Sequence, residues 1–171
     1  PELTVFPLTT VFERLADSFH STAADRHIRL RIHPGRYWVN SDPLMLEQMI
    51  ANLVSNAIRY TPAGGRILIG VRYRQGLIAI EVRDSGIGIA PEHQQAIFAE
   101  FFQVGNKARE QGKGLGLGLS IVDRLAKALG ITIELNSRLG GGSVFRLILS
   151  AAKPELAPKE PPRTEQEKQV L

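Results

Sequence analysis

The sequence predicts an α+β domain, and three observations predict it. Residues 44–60 repeat apolar side chains at helical spacing, and residues 66–73 and 77–83 alternate apolar and polar around Arg74-Gln75-Gly76 as an antiparallel hairpin does. A further helical repeat after Gly118 leads into two more alternating segments. With 171 residues, 43% of them hydrophobic, the chain can bury one good core. We expect that core over residues 1–150, with residues 151–171, rich in Pro and in charges of both signs, as a linker or tail.

In chain order, residues 3–8 read as a short strand, with Pro7 marking an edge or an end. Thr9 or Thr10 is placed to cap a helix reaching about Ala24, with Val11, Leu15 and Phe19 along one face. Residues 29–33 alternate with Leu30 and Ile32 inward, and residues 37–39 follow the Pro34-Gly35 turn. Ser41-Asp42-Pro43 is a helix start with Pro in the first turn, and Thr61-Pro62-Ala63-Gly64-Gly65 ends that helix. After the hairpin, Pro91 opens a short helix ending near Phe98. From Gly118 a helix carries Leu117, Ile121, Leu125 and Ala128 or Leu129 on one face and closes at Gly130. Residues 131–135 and 144–149 finish the domain as strands joined around Gly140-Gly141-Gly142.

Composition removes several function classes. The chain has no Cys, which excludes a disulfide framework and thiolate metal sites and fits a reducing compartment. No apolar run approaches the roughly 20 residues of a membrane span, so this segment is expected to make no membrane contact. A net charge of +4 comes without a basic run or aromatic-basic interleaving, so nucleic acid is not an expected partner. A modest basic excess also suits an anionic small ligand.

Three stretches are candidates for chemistry. At about 100° per residue, Gln48, Asn52, Asn56 and Arg59 form a polar stripe opposite Leu46, Met49, Ile50, Leu53, Val54, Ala57 and Ile58. Asn is a poor helix former, so two of them one turn apart point to a stripe that faces something, although a plain solvated face remains open. Next, Asp84-Ser85-Gly86-Ile87-Gly88-Ile89 sets a carboxylate at a strand end before alternating Gly, which lets backbone approach a flat ligand. A buried Asp there could select adenine through its amino group; a tight turn with a capping Asp is the alternative. Last, residues 103–118 form a polar, then Gly-rich loop that feeds a helix N-terminus, a favourable setting for phosphates or else a hinge. It is neither a P-loop nor a dinucleotide fingerprint, because neither spacing occurs.

Four motifs stand in one order: Asn52-x-x-x-Asn56-Ala57, Asp84-x-Gly86-x-Gly88-Ile89, Phe98-x-x-Phe101 and Gly112-x-Gly114-Leu115-Gly116-Leu117-Gly118. Together they closely resemble the N, G1, F and G2 boxes of bacterial sensor histidine kinases, over roughly residues 1–150. The resemblance implies a two-layer α/β sandwich, a mixed and mostly antiparallel sheet packed on helices, shared with type II topoisomerases, mismatch-repair ATPases and some chaperones. It implies that ATP and Mg²⁺ are bound, with Asn56 as Mg²⁺ ligand and Asn52 near the phosphates. Arg59 would pair with phosphate, Tyr60 would flank the base and Asp84 would take the adenine amino group. Gly86 and Gly88 would admit the backbone, Ile89 would line the base pocket, and Phe101 belongs to the box beside the lid. Lys113, Gly114 and the N–H groups of Leu115, Gly116 and Leu117, with Gly118, would meet the phosphates.

The resemblance further implies phosphoryl transfer to a His on a separate dimerisation hairpin, with a response regulator or fused receiver domain downstream. The segment would be cytoplasmic, within a full-length protein anchored at the membrane. In hydrolysing relatives a Glu stands where Asn52 is, so a protein acceptor is favoured over water. The family's acceptor pattern, His followed by an acid, is missing: His20, His27, His33 and His93 precede Ser, Ile, Pro and Gln. Each reads as a surface or turn residue. A nucleotide-binding regulatory module without kinase activity and an anti-sigma serine kinase are the competing readings.

Overall fold

The computed structural model describes residues 1–102 and 116–153. The chain passes from β1 (Thr4–Pro7) directly into α1 (Leu8–Asp25), then through β2 (Arg29–His33), β3 (Trp38–Ser41) and α2 (Pro43–Tyr60). The hairpin β4 (Arg66–Arg74) and β5 (Leu77–Asp84) is followed by single 3-10 turns at Pro91–His93 and Ala96–Phe98. The fold ends with α3 (Gly118–Leu129), β6 (Thr132–Ser137) and β7 (Ser143–Ala152). Among the described residues the strands form one sheet in the order β1-β3-β7-β5-β4-β2, with β6 on β7. The β2–β4 pair is parallel and the other pairs are antiparallel.

The expected two layers follow from strand parity. Ile67 and Ile69 of β4, Ile78, Ile80 and Val82 of β5, and Phe145, Leu147 and Leu149 of β7 are buried against one helical layer. In that layer α2 packs on β5, α1 on β2 and α3 on both β6 and α2. No helix among the described residues is long and apolar enough to cross a membrane.

α2 begins where the sequence reading put it. Asp42 Oδ1 accepts from the N–H groups of Leu44 and Met45 at 3.0 Å each, and Pro43 fills the first turn. Those bonds, together with one from the Glu2 N–H to Oδ2, hold the Asp42 carboxyl below its ordinary range. The 74–77 turn is equally legible, since Gln75 and Gly76 both have positive φ, the requirement of a two-residue hairpin loop.

Four expectations differ from the fold. α1 has no side-chain cap: it starts at Leu8, whose N–H is satisfied by Tyr37 O at 2.9 Å, while Thr10 Oγ1 donates back to Pro7 O. The stretch after Pro91 makes two 3-10 turns and no α-helix, because Gln94 Nε2 ties the chain sideways to Ile89 O and Ser137 O, both at 3.0 Å. The fully buried residues of α3 are Ser120, Val122 and Ala126, while Leu125 and Leu129 of the expected face pack against the core only in part and Ala128 is exposed. Finally, β7 runs to Ala152, two residues beyond Ser150, because Ala151 and Ala152 pair with Val39 and Trp38 of β3.

The β6–β7 turn is locked onto the end of β5. Gly142 has φ +80, and a Cβ there would run into the Asp84 carbonyl, whereas Gly140 has φ +75 with open space around it. Gly140→Ala should therefore cost only the left-handed backbone strain, on the order of 1 kcal/mol. Gly142→Ala should lower stability by clearly more, read as a larger drop in urea midpoint at unchanged slope. Equal drops would mean that the close approach to Asp84 adds nothing.

Candidate functional site

Two of the three candidate stretches meet in space. On α2, Asn52, Asn56 and Arg59 are half-buried while Gln48 and Tyr60 are exposed, so the stripe borders the core without facing open water throughout. Asn52 Nδ2 donates to Gln48 O at 2.9 Å, which satisfies its amide within the helix and turns Oδ1 outward. Directly opposite stands the first residue of α3. A methyl group built on Gly118 would lie 3.2 Å from Asn52 Oδ1 and 3.6 and 3.8 Å from Asn56 Nδ2 and Oδ1. A side chain at position 118 would fill the space between the asparagines and the helix end, which explains the glycine in physical terms.

The start of α3 carries no side-chain cap, and Ser120 Oγ donates to Leu117 O at 2.9 Å instead of receiving from the helix end. Its first N–H groups and the positive end of its dipole thus sit beside two side-chain carbonyls. That combination suits an anion at the helix end and a cation at an amide oxygen. Arg59 lies in the last turn of α2, where a cation also complements the helix dipole.

The third stretch closes the site at the sheet end. Asp84 shares the inward parity of Ile78, Ile80 and Val82, and its Oδ1 accepts from the Gly86 N–H at 2.8 Å. Desolvation raises its pKa above the ordinary value, against the opposing pull of the Gly86 and Ser143 N–H groups. A carboxylate that is kept short of donors in this way is poised to accept one from a ligand. The loop after it is pinned on both sides: Ile87 N–H donates to Tyr60 O at 3.2 Å, and Gly140 N–H donates to Ile87 O at 2.7 Å. Gly88, at φ +67, lies so close to the Arg138 carbonyl that no Cβ fits. Half-buried Ile89 is held through its N–H by Ser137 Oγ at 2.8 Å.

The aromatic segment divides. Phe98 packs edge-on to Phe145 and Phe102 lies beside His93, both against the core. Phe101 does not join them: a φ of +61 turns its ring outward, 68% exposed, and lets its N–H reach Gly116 O at 3.1 Å. Gly116, Leu117 and Gly118 are placed as described. Residues 103–115, and with them Lys113, Gly114 and Leu115, lie outside the described residues. His20, His27 and His33 are exposed and His93 is half-buried, as expected of surface and turn positions.

Three contributors went unread in the sequence. Ser137 occupies the inward parity of β6 after Ile133 and Leu135, and a Ser on an apolar parity was the available signal. Gln94 joins the loop to β6 through bonds between positions distant in sequence, and no local pattern announces it. Thr61 is 2% exposed with an Oγ1 that has no partner among the described residues, yet in the sequence it reads only as the end of a helix.

Residues 41–153 match the family model described as histidine kinase-, DNA gyrase B-, and HSP90-like ATPase. The chain is 43% identical over 154 residues to the sensor-like histidine kinase SenX3 of Mycobacterium tuberculosis, covering 88% of this chain and 37% of that protein. It is 38% identical over 149 residues to the sensor protein kinase PmrB of Pseudomonas aeruginosa, covering 86% and 31%. Among solved structures, full-length ShkA in complex with AMPPNP superposes with a TM-score of 0.76 at 28% identity, over 90% of this chain and 32% of that one. The chain thus spans about a third of the length of the curated relatives it matches. With Asn52 and Asn56 facing Gly118, and with these residues and Asp84 all inside the matched segment, the chain belongs to the histidine kinase-, DNA gyrase B- and HSP90-like ATPase family.

Proposed function

We propose that this domain binds Mg-ATP and delivers its γ-phosphate to a histidine on a dimerisation hairpin supplied by another part of the full-length kinase. The observation that carries the proposal is the seat of Gly118 against Asn52 and Asn56, which joins the polar stripe of α2 to a phosphate-ready helix end. The likeness to ShkA, solved with an ATP analogue, supports the same reading. Asp84 accepts the adenine amino group, where guanine would present an acceptor to an acceptor. Thr61 Oγ1, buried and unpaired among the described residues, offers a second polar contact at that end. Tyr60 and Ile89 flank the base, Gly86 and Gly88 admit it to the backbone, and Phe101 stands at the edge of the lid.

The N–H groups of Leu117 and Gly118, with Arg59, face the phosphates, and Gly116, Leu115, Gly114 and Lys113 complete that role. Among the described residues no cluster of three or more acidic or His side chains could hold a metal alone. The amide oxygen of Asn56 fits Mg²⁺ that takes its other ligands from phosphate and water. Bound there, Mg²⁺ neutralises charge developing on the phosphates. In the transfer, an imidazole nitrogen of the acceptor attacks the γ-phosphorus, the bond to the β–γ bridging oxygen breaks, and ADP leaves with that electron pair. Asn52 cannot take a proton from water, so hydrolysis lacks a base and a positioned protein nucleophile is favoured. The phosphohistidine then serves a response regulator or fused receiver domain. We place the domain on the cytoplasmic side, where ATP is available, within a membrane-anchored sensor.

Two experiments test this. Labelled ATP with a supplied His-bearing hairpin should give acid-labile, base-stable label on that hairpin, and Asn56→Ala should abolish it. Nucleotide binding without label on any cognate hairpin would favour a regulatory nucleotide-binding module, and label on His20, His27, His33 or His93 would refute the separate acceptor. The second experiment uses the opposite signs expected of Asp84→Asn. Because the folded pKa of Asp84 is raised, its charge opposes folding once pH exceeds the ordinary carboxylate value, so the ligand-free Asn variant should be at least as stable at pH 7. The same change should weaken ATP binding by on the order of 1–3 kcal/mol, since a buried acceptor becomes in part a donor. Calorimetric titration and a urea melt read both; equal ATP and GTP affinities would remove Asp84 from base recognition.

A further inference from the structure

The face of the sheet turned away from the helices holds most of the protein's unbalanced charge. Outward parity brings Arg29 and Arg31 from β2, Arg66, Arg72 and Arg74 from β4, Arg83 from β5 and Arg146 from β7 onto that face, and Arg138 joins them past the end of β6. Among the described residues the only strand carboxylates of the same parity are Glu81 and Glu134. Eight guanidinium groups against two carboxylates leave six positive charges in excess, more than the +4 of the whole chain. All eight are Arg and none is Lys, although the chain has both.

At the centre, Glu81 shows what this array binds. Its Oε1 accepts from Arg146 Nε at 2.8 Å and its Oε2 from Arg72 Nε at 3.1 Å, with Arg83 Nη2 at 3.7 Å. Burial raises the Glu81 pKa, but the bonds and charges of Arg146 and Arg72 outweigh it and hold the group below its usual range. Next to it lies a groove of about 600 Å³ whose walls carry Arg29, Arg31, His33, Arg66, Arg83 and Arg138, with Asp84 as the one carboxylate at its border. Among the described residues no carboxylate is ion-paired to Arg29, Arg31, Arg66 or Arg138.

We propose that this groove docks an acidic segment of a partner polypeptide, whose Asp and Glu carboxylates repeat on Arg29, Arg31, Arg66 and Arg138 the arrangement the sheet makes with Glu81. Guanidinium forks match carboxylates bidentately and tolerate partial desolvation, which a Lys patch does not. Arginines two residues apart on β2 are about 6.6 Å apart, close to the spacing of alternate Glu in an extended chain or of i and i+4 on a helix. A walled groove fits a protruding segment better than a flat bilayer, and its walls carry no Phe, Tyr or Trp ring on which a base could stack. Residues 154–171 carry four acidic against three basic side chains and so do not match the excess. The arginines of the groove lie on the sheet face turned away from the helices, while Asp84 and Ser85 border it at the end of β5, so ATP binding is followed beside peptide binding in the test.

The test titrates the 171-residue chain with a ten-residue alternating Glu-Ala peptide and follows backbone and Arg Nε NMR shifts. Shifts should gather on β2, on the first half of β4 and at Arg138, and should weaken as salt rises. The double charge reversal Arg31→Glu/Arg66→Glu, at exposed positions, should lose at least about tenfold in peptide affinity while ATP affinity stays unchanged. Arg74→Glu, outside the groove, should change little, and Arg31→Ala/Arg66→Ala provides a milder pair should the reversal disturb folding. Shifts scattered over the surface, or wild-type peptide affinity in both double variants, would overturn the proposal. So would duplex DNA or phosphatidylserine vesicles that bind the groove more tightly than the peptide in the same buffer.

Discussion

The burial of one side of α2 is the constraint from which the proposed nucleotide site follows. Leu46, Met49, Ile50, Leu53, Val54, Ala57 and Ile58 are at most 4% exposed, so the helix has a single rotation about its axis. Taking each large apolar side chain out of water stabilises by about 1.5–3 kcal/mol, while two Asn cost together about 1 kcal/mol in helix propensity. Burial therefore outweighs propensity severalfold. The asparagines are carried to the cleft by a helix that would prefer other residues there, and they are held at its rim because the rest of the helix cannot turn.

A fixed helix still needs a second wall, and backbone proximity provides it. Gly118 meets the asparagines, and Gly88 and Gly142 bring the loop after β5 against the β6–β7 turn with no side chain between. Each contact joins elements distant in sequence. Register errors are therefore costly: a slip of one residue between β5 and β7 would move Asp84 away from Ser143 and carry the loop out of reach of Ile87 and Gly140. The site is shaped by where chains can touch, and its polar groups are few.

How much of this was legible depends on the range of the signal. The α2 cap, the positive-φ hairpin turn and the Gly130 cap of α3 are local and were read directly from Asp42-Pro43, Gln75-Gly76 and Gly130. The candidate residues Asn52, Asn56 and Asp84 were legible because each breaks a local preference: asparagine inside a helix, and a carboxylate on a strand's apolar parity. The buried side of α3, the outward ring of Phe101 and the supports from Ser137 and Gln94 depend on packing between distant elements. So did the arginine face. A scan for basic runs passes over it because strand geometry places its members at every second residue, interrupted by Leu30, Ile67 and Ile69. Only pairing five strands side by side turns dispersed arginines into one surface.

β5 shows how a single strand keeps two electrostatic environments apart. Glu81 and Asp84 are three residues apart, so the pleat sends them to opposite faces. On the helix side Asp84 has two backbone donors and no cation within the bonds described, and desolvation dominates, so its carboxyl is raised. On the open side Glu81 is 7% exposed and burial raises its carboxyl, yet the guanidinium groups of Arg146 and Arg72 outweigh the desolvation and it is lowered. What separates them is the positive charge in direct contact, two guanidinium groups on Glu81 and only backbone N–H groups on Asp84. The proposed nucleotide, held by N–H groups, amides and Arg59, and the proposed acidic segment, held by an array of arginines, would then be selected by different sets of donors.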